Sequence, residues 1–215
     1  MRTGLTLTAL TLIALPLAAQ ADADKKAEGG GTLPPGWNAK LDKATASLAD
    51  VKFAAMGTGW HFTTGPAVIV WRDADNMGGP FHAVASFTQT KAPTHPEAFG
   101  LFIAGKDLKG TGTSYTYFIV RGDGKFLVKK MSGTTATNVS EGWTANDAIT
   151  MQDATGKQTN RIEVSVGKDG KVSWMVNGKA VYSMTAAPGD LTGIVGLRVN
   201  HNLDVHVEGF GVHKM

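Results

Sequence analysis

The sequence contains no cysteine, and its charges are few and nearly balanced. Its 215 residues include 21 Lys and Arg against 18 Asp and Glu, and charged residues make up 18% of the chain. The missing cysteines exclude disulfide scaffolds, thiolate zinc sites, iron–sulfur clusters and cysteine nucleophiles. The small positive excess gives nucleic-acid binding no electrostatic support, because such binding relies on a clustered basic surface.

The chain also lacks a hydrophobic run of the roughly 20 residues that a transmembrane helix needs. Residues 5–17 are apolar apart from scattered threonines, Arg2 precedes them, and Ala19-Gln20-Ala21 follows them in the small-x-small pattern of a cleavage site. We therefore expect residues 1–21 to be a secretory signal peptide with no membrane span after it. The mature protein is expected to be secreted or periplasmic.

Helix-forming patterns are scarce after that segment. Residues 22–36 contain five charged residues, a triple glycine and a double proline, and such a composition cannot bury enough surface to order itself. We therefore predict a flexible linker there.

Apolar residues at helical spacing predict one short helix from Ala39 to Leu48. Residues 37–215 are expected to form a single domain with a core of useful size.

Short runs of β-branched and aromatic residues dominate the rest of the chain. Turn signals separate them, above all Asn177-Gly178, which is typical of a tight hairpin. A dozen strands exceed what one open sheet usually holds, so we predict an all-β fold of two stacked antiparallel sheets. The predicted strands are Val51–Met56, Trp60–Thr63, Ala67–Trp71, His82–Gln89, Ala98–Ile103, Ser114–Arg121, Phe126–Met131, Arg161–Val166, Val172–Val176, Ala180–Met184, Ile194–Val199 and Leu203–Val212.

Apolar and polar side chains alternate along the last two predicted strands. The valines of the final strand would face the core, while Asp204 and His206 would face solvent. Arg198 and Asn200 hold the matching polar positions of the preceding strand. The polar face of these strands is therefore rich in groups that can hold a ligand.

The closing segments resemble those of concanavalin A-like lectin/glucanase (laminin-G-like) jelly rolls. Residues 172–181 and 193–199 combine a hydrophobic strand, an Asn-Gly hairpin and a Gly-x-x-Gly-Leu strand, and residues 98–102 and 115–124 are similar to the central strands of that superfamily. Within it, the chain is similar to the secreted bacterial 3-keto-disaccharide hydrolase-like domains over residues 51–212. The predicted fold is accordingly a two-sheet antiparallel jelly-roll sandwich.

This resemblance implies a curved sandwich whose concave sheet binds carbohydrate, in some branches with calcium or with hydrolysis of glycosidic bonds. The glucanase branch uses a Glu-x-Asp-x-x-Glu or Glu-x-Asp-x-Glu strand, but Glu97, Glu141, Glu163 and Glu208 are isolated from one another, so that mechanism does not transfer. No cofactor and no metal ligand are predicted. Calcium, which the resemblance allows, is supported by no motif, because a plain turn explains Asp73–Asn76.

Asp204 and His206 offer one candidate site. Side by side on a strand face, they could supply a carboxylate that orients an imidazole, a general base, or part of a metal site. A solvent-exposed strand face that binds no ligand explains the same pattern, because the outer face of such a sheet also carries alternating polar residues.

Aromatic residues offer a second candidate site. Trp60, His61 and Trp71 could stack on a sugar ring or bond its hydroxyls. Strand tryptophans more often belong to the core, which is the plainer explanation. Three further residues alternate along one strand and would point to the same side, where they would either line a groove or pack against neighbouring strands. They are Tyr115, Tyr117 and Arg121.

We therefore predict an exported protein that binds a glycan or sugar derivative on its concave sheet, with no nucleic-acid partner and no assigned oligomeric state. Two alternatives stay open: a glycoside-cleaving hydrolase or lyase of the keto-sugar type with His206 or Glu97 as base, and a cell-envelope structural or protein-interaction module. Binding is favoured over catalysis. The predicted ligand-binding residues are His61, Glu97, Tyr117, Arg121, Arg198, Asn200, Asp204 and His206.

Overall fold

The computed structural model of the protein describes residues 23–215, so the predicted signal peptide lies outside the described residues. The described part contains fifteen strands and two short 3-10 helices, Leu48–Asp50 and Pro188–Leu191. The strands are β1 Trp37–Leu41, β2 Val51–Met56, β3 Gly59–Thr64, β4 Val68–Met77, β5 Phe81–Gln89, β6 Ala98–Lys106, β7 Ser114–Arg121, β8 Lys125–Ser132, β9 Thr135–Asn138, β10 Thr144–Ala145, β11 Gln158–Val166, β12 Lys171–Val176, β13 Lys179–Thr185, β14 Gly193–Val199 and β15 Asp204–Lys214.

The strands form two antiparallel sheets that pack face to face. The eight-stranded sheet has the order β1-β4-β14-β6-β7-β8-β10, with β9 also paired to β8, and the seven-stranded sheet has the order β13-β12-β11-β5-β15-β3-β2. Consecutive strands often belong to different sheets, as β14 and β15 do. The predicted all-β sandwich is confirmed.

The core fills the space between the two sheets, and aromatic rings join them. Phe87 of β5 stacks on Phe99 of β6 with ring centroids 5.2 Å apart, and Trp174 of β12 stacks on Phe118 of β7 at 5.3 Å. Each such side chain stabilises the fold by about 1.5–3 kcal/mol when it is fully buried. The residues that alternate with these core positions therefore point away from the core, to the two outer faces.

Each of the twelve predicted strands corresponds to an observed strand, and the unpredicted ones are the short β1, β9 and β10. The hairpin at Asn177-Gly178 joins β12 to β13, with φ angles of 51° and 77°. Positive φ at both central residues is the type I′ geometry that Asn-Gly favours.

The predicted helix from Ala39 to Leu48 is wrong. Residues up to Leu41 belong to β1, which pairs with β4, and the only helical turn nearby is Leu48–Asp50. Trp37 explains the extended conformation, because its ring packs edge-on against other rings with centroids 5.1 Å away, which are Phe53 and Trp60. Tertiary burial of Trp37 thus outweighs a weak helical pattern.

Residues 23–36 lie along the sandwich. The Lys25 backbone N–H donates to Asn202 Oδ1 at 2.7 Å, and the Gly31 backbone N–H donates to the Val51 carbonyl at 3.0 Å. The segment has little surface to bury within itself, and these contacts instead join it to the domain. Within residues 23–215, no helix has both the length and the apolar character needed to cross a membrane.

Candidate functional site

The eight predicted site residues do not form one site. Arg198 belongs to β14 of the eight-stranded sheet, whereas Asp204 and His206 belong to β15 of the seven-stranded sheet. Their side chains alternate with core residues, so they lie on opposite outer faces of the sandwich. The prediction that one polar face holds all of them is wrong, because alternation shows which side of a strand a residue takes and not which sheet the strand joins.

The outer face of the eight-stranded sheet, here called the eight-stranded face, carries a second apolar layer. Leu108 belongs to this layer although it lies in the β6–β7 loop, residues 107–113, so that loop folds over the face. Side chains that point away from the main core are thereby buried. The described residues of this layer are Ile69, Trp71, Ala98, Phe102, Leu108, Tyr115, Tyr117, Ile119, Leu127 and Met131.

An ion pair with a buried guanidinium lies in this layer. The Arg198 side chain is 5% exposed, and its Nη1 and Nη2 donate to Asp42 Oδ1 and Oδ2 at 3.0 and 2.5 Å. Nη1 also donates to the Tyr115 hydroxyl at 3.1 Å, and the guanidinium lies 4.5 Å from the ring centroid of Tyr117. Two parallel bonds to one carboxylate fix its orientation, so Asp42 is held in a single geometry.

Charge compensation keeps both members of the pair ionised. Burial alone would raise the pKa of Asp42, but the charge and hydrogen bonds of Arg198, with contributions from Lys43 and Lys129, hold that pKa below its usual value. Burial works against the Arg198 charge in the same way, and Asp42 outweighs it and raises the pKa of Arg198. Burial also raises the pKa of Tyr115 far above its usual value, so the phenol stays neutral.

A cavity of about 230 Å³ opens beside the ion pair. Lys40 at its wall donates from Nζ to the Gly110 carbonyl at 2.6 Å and also bonds the Thr113 hydroxyl, which ties β1 to the β6–β7 loop. Ammonium, carboxylate and hydroxyl groups around a partly apolar floor are the usual composition of a small-molecule site. The lining includes Lys40, Asp42, Ile69, Thr113, Tyr115 and Met131.

Tyr117 and Arg121 share the parity of Tyr115 and lie on the same face, as the sequence predicts. Tyr117 is only 3% exposed and its ring is covered by Arg198, so it supports the ion pair and offers no open stacking surface. Arg121 forms a bidentate ion pair with Asp123, in which Nε and Nη2 each donate to the carboxylate at 2.7 Å.

Glu97 and Asn200 meet at one end of the sandwich. Asn200 Nδ2 donates to Glu97 Oε2 at 3.2 Å, and His201 Nε2 lies 2.6 Å from Glu97 Oε1. The other ring nitrogen of His201 lies 3.2 Å from Asp24 Oδ1. This cluster therefore joins the segment before β1 to the β14–β15 connection, and the buried Oδ1 of Asn200 has no hydrogen-bond partner in it.

Asp204 is the centre of the polar group on the outer face of the seven-stranded sheet, here called the seven-stranded face. Its carboxylate accepts from Thr63 Oγ1 at 2.9 Å, contacts Lys91 Nζ at 2.6 Å and lies 3.3 Å from His61 Nε2. Burial alone would raise the pKa of Asp204, but hydrogen bonds from His61, Lys91 and Thr63 hold it far below its usual range. The carboxylate is thus ionised and already served by three protein donors.

His206 lies opposite His61 on the same face, with ring centroids 6.2 Å apart. Glu97, the alternative candidate base, directly precedes β6 of the eight-stranded sheet, so the two candidates lie in different parts of the sandwich. No group of three or more His, Cys, Asp or Glu side chains that could hold a metal ion occurs within the described part of the chain.

Trp60 and Trp71, the two tryptophans considered for sugar stacking, both pack against apolar layers of the protein. Trp71 is 1% exposed in the apolar layer of the eight-stranded face, and its Nε1 donates to Asp73 Oδ1 at 3.1 Å. Trp60 packs against the main core beside Trp37. The plainer expectation of internal packing is confirmed for both.

No protein-family model matches the chain, and no curated protein sequence matches it. Among solved structures, the carbohydrate-binding module CBM66 from Bacillus subtilis has a TM-score of 0.61 to this chain at 10% identity, covering 83% of this chain and 96% of that chain. The fold is the concanavalin A-like jelly roll.

Two further jelly rolls are similar in structure. The Bacillus licheniformis β-glucanase has a TM-score of 0.54 at 9% identity, covering 91% of this chain and 100% of that chain. The Emp46p carbohydrate recognition domain has a TM-score of 0.55 at 9% identity, covering 83% of this chain and 88% of that chain. Identities this low establish the fold, so function is argued from the residues themselves. The narrower resemblance to 3-keto-disaccharide hydrolase-like domains stays a prediction.

Lys40 and Asp42 of this jelly roll are not predicted as site residues, because the sequence predicts a helix where they lie. A signal for the strand is nevertheless present. Trp37, Ala39 and Leu41 contact the main core in the structure, and they alternate with polar residues that include Lys40. Alternation of this kind predicts a strand whose polar positions face outward.

Proposed function

We propose that the protein is an exported carbohydrate-binding jelly roll whose ligand occupies the cavity on the eight-stranded face. The cavity itself carries the proposal: it holds about 230 Å³ between charged and hydroxyl-bearing walls and an apolar floor. CBM66 and the Emp46p domain, which are described as carbohydrate-binding and carbohydrate-recognition domains, have the same fold. That shared fold supports a sugar over other small polar ligands.

The lining suits a ligand rich in hydroxyl groups. The Asp42 side chain is 28% exposed, so oxygen lone pairs that Arg198 does not use remain open to sugar hydroxyls. The Tyr115 hydroxyl accepts from Arg198 and can still donate, and the Lys40 ammonium, which bonds Gly110 and Thr113, has a third N–H to donate. Arg198 orients the carboxylate before any ligand arrives, which lowers the ordering cost of binding.

We assign the concave, ligand-binding face to the eight-stranded sheet. Its outward side chains are covered by the β6–β7 loop and by the segment after β1, which gives a walled site. On the seven-stranded face, Asp204 is already bonded by His61, Thr63 and Lys91, so its carboxylate has less capacity left for a ligand.

Thermal shift measurements on the mature protein test the proposal. The probes are β-glucan, galactan, fructan and uronate oligosaccharides, with product analysis after each incubation. A ligand at 100 times its Kd stabilises by about 2.7 kcal/mol. For a domain of this size that raises the melting temperature by roughly 5–10 °C. We expect at least one oligosaccharide to do so and to be recovered intact.

Two blocking variants locate the site. Ala44→Trp places a large ring at the cavity rim, where Ala44 is exposed, and is expected to abolish the stabilisation. Ala54→Trp places the same ring opposite His61 on the seven-stranded face and is expected to leave it unchanged. Loss of the stabilisation in Ala54→Trp but not in Ala44→Trp would move the site to the seven-stranded face. If none of the oligosaccharides stabilises the unmodified protein, the proposed function is wrong.

A further inference from the structure

Trp143 is the starting point, because its side chain is large, apolar and 36% exposed. It directly precedes β10, at the edge of the eight-stranded sheet next to β8. Leaving a tryptophan ring in water forgoes the stabilisation that burial would bring. A single exposed aromatic residue is common on protein surfaces, so its role depends on how the ring is held and what lies on the same face.

The indole ring of Trp143 is held in place. The Arg121 guanidinium lies 4.2 Å from its ring centroid, and Arg121 is itself fixed by the two 2.7 Å hydrogen bonds to Asp123. A cation over one ring face contributes stabilisation and sets the orientation of the ring. The exposed part of the ring is thus presented to solvent in a defined orientation, which is a preorganised stacking surface.

Trp143 and the cavity belong to the same face of the sheet. Arg121 lies directly opposite Lys125 of β8, and Ala145 of β10 lies opposite that same lysine. Arg121 shares the outward parity of Tyr115, which lines the cavity. The two are six residue steps apart along β7, a span of about 20 Å at the rise of an extended strand.

The layer between the two ends is apolar and buried, with Ile119 at 3% and Leu127 at 6% exposure. Ile119 lies between Tyr115 and Arg121 on the outward side of β7, and it pairs with Leu127 of β8. Both belong to the apolar layer of the eight-stranded face. An elongated ligand lying from the cavity to Trp143 would therefore pass over this covered layer and make its main contacts at the two ends.

We infer that Trp143 forms a second sugar subsite, and that the ligand is an extended oligosaccharide. This inference rests on the proposed binding at the cavity. One sugar residue of the chain occupies the cavity beside Asp42, and a later residue stacks its C–H face on the indole ring of Trp143. A monosaccharide or disaccharide is too short to reach both subsites.

A chain-length series tests the inference by calorimetric titration. The probes are disaccharides to hexasaccharides of the β-glucan, galactan, fructan and uronate types. For the unmodified protein, affinity is expected to rise about tenfold once the chain reaches Trp143, since a good aromatic contact contributes on that order. Trp143→Ala is expected to remove this rise and to leave short-chain affinity unchanged. Trp143→Phe, which keeps a smaller ring, is expected to retain part of it.

Met56→Ala is the matched control, because Met56 is 53% exposed at the end of β2 in the other sheet. It should leave the whole series unchanged. Equal long-chain affinity in Trp143→Ala and the unmodified protein would overturn the second subsite while leaving cavity binding intact. An equal loss for short and long chains would also overturn it, because Trp143 would then act through the cavity. Failure of every probe to bind the unmodified protein would overturn both proposals. The melting temperature without ligand shows that each variant is folded.

Discussion

The two outer faces of the sandwich hold their charged groups in different ways. On the eight-stranded face, Arg198 is almost fully buried and one carboxylate, Asp42, compensates its charge. On the seven-stranded face, Asp204 is partly exposed and shared among three donors. The first arrangement is costly to break and fixes a carboxylate at a cavity. The second gives its carboxylate three donors but leaves the buried Nδ1 atoms of His61 and His206 without a hydrogen-bond partner. The proposed site is therefore on the face whose carboxylate is fixed and keeps bonding capacity.

The largest expected effect is that of Asp42→Asn. It leaves the buried Arg198 guanidinium without a counter-charge, and breaking a buried pair from one side costs about 3 kcal/mol. Chemical denaturation measures the loss. Asp147→Asn, at an exposed position, should change the free energy of unfolding by less than about 0.5 kcal/mol.

A double variant sharpens this result. Asp42→Leu with Arg198→Met removes both charges, and apolar replacement of a buried pair is often neutral. We expect the double variant to be more stable than Asp42→Leu alone. Additive losses would show that the two side chains do not depend on each other.

Asp204→Asn is expected to cost less, about 1.5 kcal/mol. The amide keeps an acceptor oxygen for Thr63 but loses the charge that strengthens its contacts with Lys91 and His61. The same denaturation experiment measures it. A loss as large as that of Asp42→Asn would remove the energetic difference between the two faces.

Acid should weaken both faces. The pKa values of Asp42 and Asp204 are lowered by folding, so both carboxylates bind protons more readily in the unfolded chain. Their contribution to stability is complete above the unfolded pKa of about 3.9 and is lost as the pH falls through the lowered values. Denaturation at pH 5 and at lower pH should show this fall, and Asp204→Asn should make it shallower. An unchanged slope in that variant would contradict the ionised state of Asp204.

The smallest effect is expected for Lys91→Met. The Lys91 side chain is 69% exposed, and an exposed ion pair contributes less than about 1 kcal/mol. The variant should also keep full glycan binding. Loss of binding in Lys91→Met would point to the seven-stranded face instead.

The sequence predicts strands well here and sheets poorly. The local run of β-branched and aromatic residues identifies β7 at its observed bounds, Ser114–Arg121, although both faces of that strand are buried. Local patterns do not show that β14 and β15 join different sheets, because that depends on contacts distant in sequence. Arg198 and Asp42 are 156 residues apart, so no local pattern could pair them.

Trp143 illustrates a second limit. It lies in a polar segment beside the two-residue strand β10, and no alternating run marks its position. Its proposed role depends on Arg121, which contacts it only in the folded sheet. Residues whose role depends on a neighbouring strand cannot be predicted from local patterns.

A crystal structure of the mature protein with a bound hexasaccharide tests the central claim most directly. We predict sugar density on the eight-stranded face, with one residue bonded to Asp42 in the cavity and the chain directed toward Trp143. Density against His61 and Asp204, with an empty cavity, would contradict the account.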